Sequence, residues 1–208
     1  MASRALERNP ADLDAVLERV GAYFMKESPV HKAAHELALH LDELGIEHAI
    51  AGALALGAHG VVRATEDVDV LLSRGDLDRF KSAWLGRGYV NLRPGGKAVR
   101  DTQNNVKIDF LIVGDFPGDG KPKPVAFPSP AAASETSGGL RVVLLPRLVE
   151  LKLASGMTAP HRLQDLADVH RLIETRKLPR EFSDELNPYV REKYDELWRI
   201  AQHEPDDY

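Results

Sequence analysis

Residues 48–73 read HAIAGALALGAHGVVRATEDVDVLLS, and the remaining elements are arranged about them. The short apolar run His48-Ala49-Ile50-Ala51 suits a buried strand. Gly52 breaks it, and residues 53–58 (ALALGA) have the small, straight-chain composition of a helix. His59 and Gly60 end that helix, residues 61–66 form a loop, and residues 67–72 (DVDVLL) make a second strand. Alternate side chains on a strand share a face, so Asp67 and Asp69 point together while Val68 and Val70 face the core. Two carboxylates held side by side repel unless a cation lies between them. Magnesium takes oxygen ligands and keeps waters for a substrate phosphate, which makes it the natural partner.

A single Asp-x-Asp at a strand start is also what a solvated edge or a turn offers. A third acid shifts the balance. In residues 105–113 (NVKIDFLIV), Val106, Ile108, Phe110 and Ile112 share one face and Lys107, Asp109 and Leu111 the other. Asp109 is thus an acid in a strongly apolar strand, where an unpaired charge is expensive. If this strand lies beside that of Asp67 and Asp69, three carboxylates converge. Such a set can hold two divalent cations about 3.5–4 Å apart, the arrangement used for in-line displacement at phosphorus.

The ordered set Gly52-Ala53, Gly60, Arg63, Thr65, Asp67-x-Asp69 and a later Asp109 resembles the nucleotidyltransferase superfamily of the DNA polymerase β type. It is most similar to small bacterial members, including the AbiEii toxin-like proteins. Their H-G-x-x-R-x-T-x-D-x-D pattern is matched by His59, Gly60, Arg63, Thr65, Asp67 and Asp69. Their later leucine-rich helix with a lysine, followed by D-x-x-D, is matched by Lys152, Asp165 and Asp168. The resemblance covers residues 35–175. It implies that Asp67, Asp69 and Asp109 bind two Mg²⁺ ions and a nucleoside triphosphate (NTP), with Gly52, Ala53, Arg63, Thr65, Lys152 and Asp165 about the nucleotide. RNA, tRNA ends in particular, or a protein hydroxyl is the implied acceptor, with a small molecule as the rival, and an antitoxin protein is an implied partner. One position departs from the pattern: Ala53 stands where the family has Gly or Ser, so only its backbone N–H is available to a phosphate.

Composition sets the outer bounds. The chain has 208 residues, 43% hydrophobic and 28% charged, as in a globular protein with one sizeable core. Without cysteine, disulfides, thiolate metal sites and cysteine nucleophiles are excluded. A formal net charge of −5 does not suit a general nucleic-acid coat. No membrane-length apolar run and no signal segment are visible, so the expected location is the cytoplasm.

Residues 1–45 read as helices packing on the core, residues 46–145 as the nucleotidyltransferase-type core, and residues 146–208 as a helical C-terminal part. Leu13, Val16, Leu17, Val20 and Phe24 mark a first helix, and Ser28-Pro29 caps a second that Gly45 ends. His31 and His35 share a face of it, but no third ligand with His40 has metal spacing, so these histidines read as helix surface. Residues 75–85 form a helix capped by Asp76, and residues 89–92 a short strand. Residues 94–97 form a turn, and Arg100 to Asn104 is a polar lead-in. Residues 114–139, rich in Pro and Gly, read as a long loop whose Lys121 and Lys123 are solvated or face an acidic partner. Residues 140–145 form the last strand. Helices follow at 146–156 and 161–176, and Asn187-Pro188 opens a final one with an apolar stripe of Val190, Tyr194, Leu197 and Trp198. Residues 203–208 fray.

The expected fold is α/β (α+β): a small mixed sheet carrying the acids, flanked by helices, with a helical C-terminal part closing the cleft. The expected activity is transfer of a nucleoside monophosphate from an NTP to a hydroxyl, with Asp109 also taking the hydroxyl's proton. Lys152, within an apolar helix, is either a snorkelling side chain or a charge aimed at the triphosphate. The competing reading is a non-catalytic nucleotide-binding or interaction module, with the last helix's stripe as its partner surface.

Overall fold

A computed structural model describes residues 28–202. The expected helix around Leu13–Phe24 and the tail at 203–208 lie outside them. Among the described residues, seven strands form one mixed sheet in the order β3-β4-β5-β2-β1-β7-β6. Its strands are β1 (Ala49–Ile50), β2 (Asp67–Leu72), β3 (Tyr89–Asn91), β4 (Ala98–Asp101), β5 (Val106–Ile112), β6 (Ser134–Ser137) and β7 (Leu140–Val143). Helices α1 (Pro29–Glu43), α2 (Gly52–Ala58) and α3 (Arg74–Trp84) are interleaved with the first strands. Helices α4 (Leu145–Thr158), α5 (Leu163–Arg176) and α6 (Pro188–Ala201) follow the last one. The α/β expectation, a mixed sheet with flanking helices and a helical C-terminal part, holds.

The start of α1 is set as the sequence predicts: Ser28 caps it, its Oγ accepting from the His31 amide at 3.4 Å, and Pro29 occupies the first turn. Among the histidines of α1, His40 serves the fold. His40 stacks on Trp84 with ring centroids 3.7 Å apart and shares a 2.9 Å hydrogen bond with the Tyr89 hydroxyl.

Three boundaries differ from the sequence reading, each for a local reason. Helix α3 is capped by Ser73 rather than Asp76. The Ser73 Oγ accepts from the Asp76 amide at 3.1 Å and donates to the Asp76 carboxylate at 2.7 Å, a reciprocal cap that starts the helix earlier. Strand β4 replaces part of the expected polar lead-in. Asp101 is buried there because its carboxylate accepts from the Gln103 amide at 2.9 Å and from Asn104 Nδ2 at 2.7 Å. The acid that made the segment look solvated therefore builds the turn into β5. Strand β6 shortens the expected loop, since Gly138 and Gly139, with φ of +57° and +79°, make a two-residue hairpin to β7.

The rest of that loop is irregular but anchored. Lys123, its side chain only 5% exposed, donates to the Pro117 carbonyl at 2.6 Å, Asp119 at 2.6 Å and Thr158 Oγ1 at 3.2 Å. It is neither solvated nor available to a partner, and it clasps the loop to the end of α4. The stripe of α6 is likewise internal. Val190, Tyr194 and Leu197 are buried, Tyr194 donating to the Pro179 carbonyl at 2.9 Å and Trp198 Nε1 to that of Leu178 at 3.1 Å. That face is therefore not the partner surface the interaction-module reading requires. One connected core runs from Val30 and Leu37 through Ile50, Val70, Phe80 and Phe110 to Leu153, Leu172 and Leu197.

Lys123→Met should release the loop without unfolding the sheet. Hydrogen exchange across residues 115–127 is expected to accelerate while β2 and β5 keep their protection. Unchanged exchange in that loop would show that the clasp does not hold it.

Candidate active site

Parallel pairing of β2 with β5 places the acids. Asp69 lies opposite Asp109 and Asp67 opposite Lys107, with Val68, Val70, Ile108 and Phe110 buried behind them. Neighbouring strands are about 4.8 Å apart, so the carboxylates on this face are within strong mutual influence. The pairing of the two strands, on which the expected convergence depends, is thus present.

Each acid has its own surroundings. Asp67 is oriented by Thr65, whose Oγ1 donates to Oδ1 at 2.7 Å. Asp109 is paired with Lys107, Nζ to Oδ2 at 2.5 Å, a hydrogen bond that raises the lysine above its ordinary range. Asp69 lies against the start of α2, where the Ala51 amide donates to the Asp69 carbonyl at 2.9 Å. Gly52 is required there, because its φ is +58° and a Cβ would stand 1.9 Å from Asp69 Oδ2. Burial first, then Asp67 and Asp109, pushes the Asp69 carboxyl from 3.8 up to about 6, against the opposing pull of Lys152 and Arg162.

The cationic wall comes from α4 and α5. Lys152, buried, donates to Asp168 at 2.7 Å and Asp165 at 3.1 Å. Arg162 Nε donates to Asp165 at 2.8 Å and to Ser155 Oγ at 3.2 Å. Arg63 Nε reaches both oxygens of Asp168 at 3.1 and 3.2 Å, and Gln164 reaches Oδ1 at 2.9 Å. Burial would raise the Asp165 carboxyl, but Lys152, Ser155 and Arg162 together hold it below its ordinary value. Three cations against two carboxylates leave this wall net positive, beside an acid face that is net negative.

Both walls open into one cleft, lined by Gly52, Asp69, Lys152, Ser155, Arg162 and Asp165 and closed on one side by Pro117, Gly118 and Phe127 of the clasped loop. Gly118 fits only as glycine, since a Cβ would meet Thr158 Oγ1 at 2.3 Å. A larger cavity, about 140 Å³, lies beside α1 and is lined by His31, His35, Leu54 and Val62. It carries no carboxylate, so charge rather than size singles out the first cleft.

Several predicted residues are placed differently from their expected roles. Arg63 is committed to Asp168 and ties the 61–66 loop to α5 instead of lining the cleft. Ala53 is buried, and α2, with seven residues, has too short a run of peptide dipoles to attract an anion strongly. His59 is structural, its Nε2 donating to the Val143 carbonyl at 2.8 Å. Arg162, to which the sequence analysis assigns no role, lines the cleft, and only its Nε is hydrogen-bonded to protein among the described residues. Its position three residues before Asp165, one helical turn, was the available signal.

The donor set fits a divalent cation in charge and in oxygen chemistry. As the side chains stand, no group of three His, Asp or Glu side chains among the described residues is closed up as ligands, and Lys107 occupies Asp109.

No protein-family model matches the chain, and no curated protein does. Among solved structures, the chain is similar to ANT(2'')-Ia in complex with adenylyl-2''-tobramycin. That match has 13% identity, 83% of this chain and 98% of that one covered, and a TM-score of 0.48. It is also similar to JHP933 from Helicobacter pylori, at 17% identity, 81% and 88% coverage and a TM-score of 0.43. A candidate nucleotidyltransferase from Thermotoga maritima matches at 12% identity, 88% and 99% coverage and a TM-score of 0.37. Likenesses this distant carry no chemistry across, and the functional reading rests on the cleft.

Two outcomes follow from the geometry. The Asp69 carboxyl is raised in the folded chain, so its stabilising contribution is complete below pH about 4 and is lost as the pH rises through about 6. Asp69→Asn should therefore stabilise the protein at pH 8 but not at pH 4, as read by denaturant midpoints. A shift of about two pH units sets an upper bound of about 3 kcal/mol, reduced because water in the open cleft screens the charge. Equal effects at both pH values would contradict the crowding of the three acids. Gly52→Ala should cost at least about 1 kcal/mol from its left-handed backbone and displace Asp69 as well. A variant as stable as the parent in the same denaturant assay would contradict the contact.

Proposed function

We propose that the protein is a metal-dependent nucleotidyltransferase that moves a nucleoside monophosphate from an NTP to a hydroxyl acceptor. The observation that carries this reading is the bipolar cleft: Asp69, with Asp67 and Asp109 beside it, shares one opening with Lys152 and Arg162. A metal–triphosphate complex has the complementary pattern, cation on one side and anion on the other.

Asp67, Asp69 and Asp109 would hold the divalent cations, two in the full form of this reading. When bound, these supply charge neutralisation and polarisation at the α-phosphoryl. Thr65 fixes the direction of Asp67, and the Gly52 backbone leaves room for Asp69. Lys152 has two N–H groups committed to Asp165 and Asp168, leaving the third for a phosphate oxygen. Arg162 offers the planar fork suited to a phosphate, its Nε anchored by Asp165 and Ser155. Arg63 and Asp168 act one layer further back, as positioning residues for Lys152.

Asp109 takes the acceptor's proton as the oxygen attacks the α-phosphorus. A new P–O bond forms to the acceptor, the α–β bridge breaks, and pyrophosphate leaves with the electron pair. The acceptor is RNA, tRNA ends above all, or a small-molecule alcohol, and an antitoxin protein is the corresponding partner. These assignments rest on the motif resemblance at His59 to Asp69.

α-Labelled NTPs incubated with Mg²⁺ and separate pools of RNA and small-molecule alcohols should yield a labelled acceptor. Lys152→Met and Asp69→Asn should each lower the rate by about 10²-fold or more, the scale for losing one preorganised charge at a reacting phosphate. Metal-dependent NTP binding with no transfer to any acceptor would favour the non-catalytic reading. No binding of any NTP would exclude the enzymatic reading and a nucleotide-binding module alike, leaving an interaction module.

A further inference from the structure

The acid face contains a cation of its own. Lys107 is two residues before Asp109 on β5, on the same face, and is in register with Asp67 on β2. Its ammonium is 2.5 Å from Asp109 Oδ2, and its side chain is 42% exposed. The four charges form a two-by-two block, with Asp67 and Lys107 in one row and the two acids Asp69 and Asp109 in the next. A lysine ammonium holds a carboxylate by hydrogen bonds alone and forms no coordinate bond as a metal ion does, and its flexible stem can carry it out to water. While it holds Asp109, one of the three acids is not free to ligate a metal.

We infer that Lys107 is a resident counter-ion of the acid face that contends with divalent cations for Asp109 and thereby sets the cation concentration at which the site loads. This rests on the reading of Asp67, Asp69 and Asp109 as metal ligands. Without divalent ions, Lys107 relieves repulsion and keeps the acids together. With them, it leaves Asp109 and moves toward solvent. Removing its charge should therefore have two effects of opposite sign: a less stable metal-free protein and a tighter metal site. A purely structural lysine would give only the first.

The test is Mn²⁺ titration of the full chain without nucleotide, followed by electron paramagnetic resonance of the free ion. It would compare wild type, Lys107→Met, Lys107→Arg and Asp69→Asn, with folding checked by circular dichroism. Lys107→Met keeps the stem's bulk on an exposed strand face and is expected to bind Mn²⁺ at least about fivefold more tightly. Its metal-free melting temperature should fall, while Lys107→Arg should match wild type in affinity. If wild type binds Mn²⁺, Asp69→Asn abolishes binding and Lys107→Met binds no more tightly, the role given to Lys107 is wrong and the metal site stands. If none of the proteins binds Mn²⁺, or Asp69→Asn leaves binding unchanged, the metal-site reading fails and this inference with it.

Discussion

The arrangement depends on the register of β2 against β5, which sets Asp69 directly opposite Asp109. Like charges this close disfavour one another, and burial first, then Asp67 and Asp109, pushes the Asp69 carboxyl up to about 6. The remaining charges compensate it. Lys107 neutralises Asp109, Thr65 solvates Asp67, and Lys152 and Arg162 draw the Asp69 proton off from across the cleft. Slipping β5 by one residue would turn Asp109 toward the core and Ile108 toward the cleft, so the apolar alternation behind the acids maintains the register.

The cationic wall follows a different physical logic. Lys152 is buried in an apolar helix, where an unpaired ammonium is unfavourable, and two buried carboxylates stabilise it. Asp168 in turn is shared among Lys152, Arg63 and Gln164, each from a different turn or segment. Arg63 thereby couples the loop before the Asp67 strand to helix α5, so the two walls are built from elements that cannot shift independently. The clasped loop adds the third side. Lys123 and the close approach of Gly118 to Thr158 hold Pro117 and Phe127 at the opening.

Much of this was legible in the sequence because period-2 alternation is a strong signal. The Val68–Val70 and Val106–Ile112 patterns alone put Asp67 and Asp69 on one face and Asp109 on the polar face of a second strand, while the pairing of the two strands is a tertiary fact. Gly52 was legible as a break, though its contact with Asp69 is a tertiary fact. What escaped reading is where a polar residue does structural work. Asp101 looks solvated and is buried at the end of β4, Ser73 outcompetes Asp76 for the α3 cap, and Lys123 looks like a loop charge but is an internal clasp. Arg63 was expected at the phosphates and stands behind Lys152 instead, because its partner Asp168 lies 105 residues further along the chain, beyond what local spacing can reveal. Arg162 and Lys107 were visible as same-face neighbours of Asp165 and Asp109, yet their roles emerge only once both walls are seen to share a cleft.

The most direct measurement is a crystal structure grown with Mn²⁺ and a non-hydrolysable NTP analogue, read by anomalous scattering. The account predicts a Mn²⁺ peak ligated by Asp67 and Asp69, with phosphate oxygens within hydrogen-bond reach of Lys152 and Arg162. A triphosphate seated in the cavity beside His31 and His35, or a metal peak away from the acid face, would contradict it.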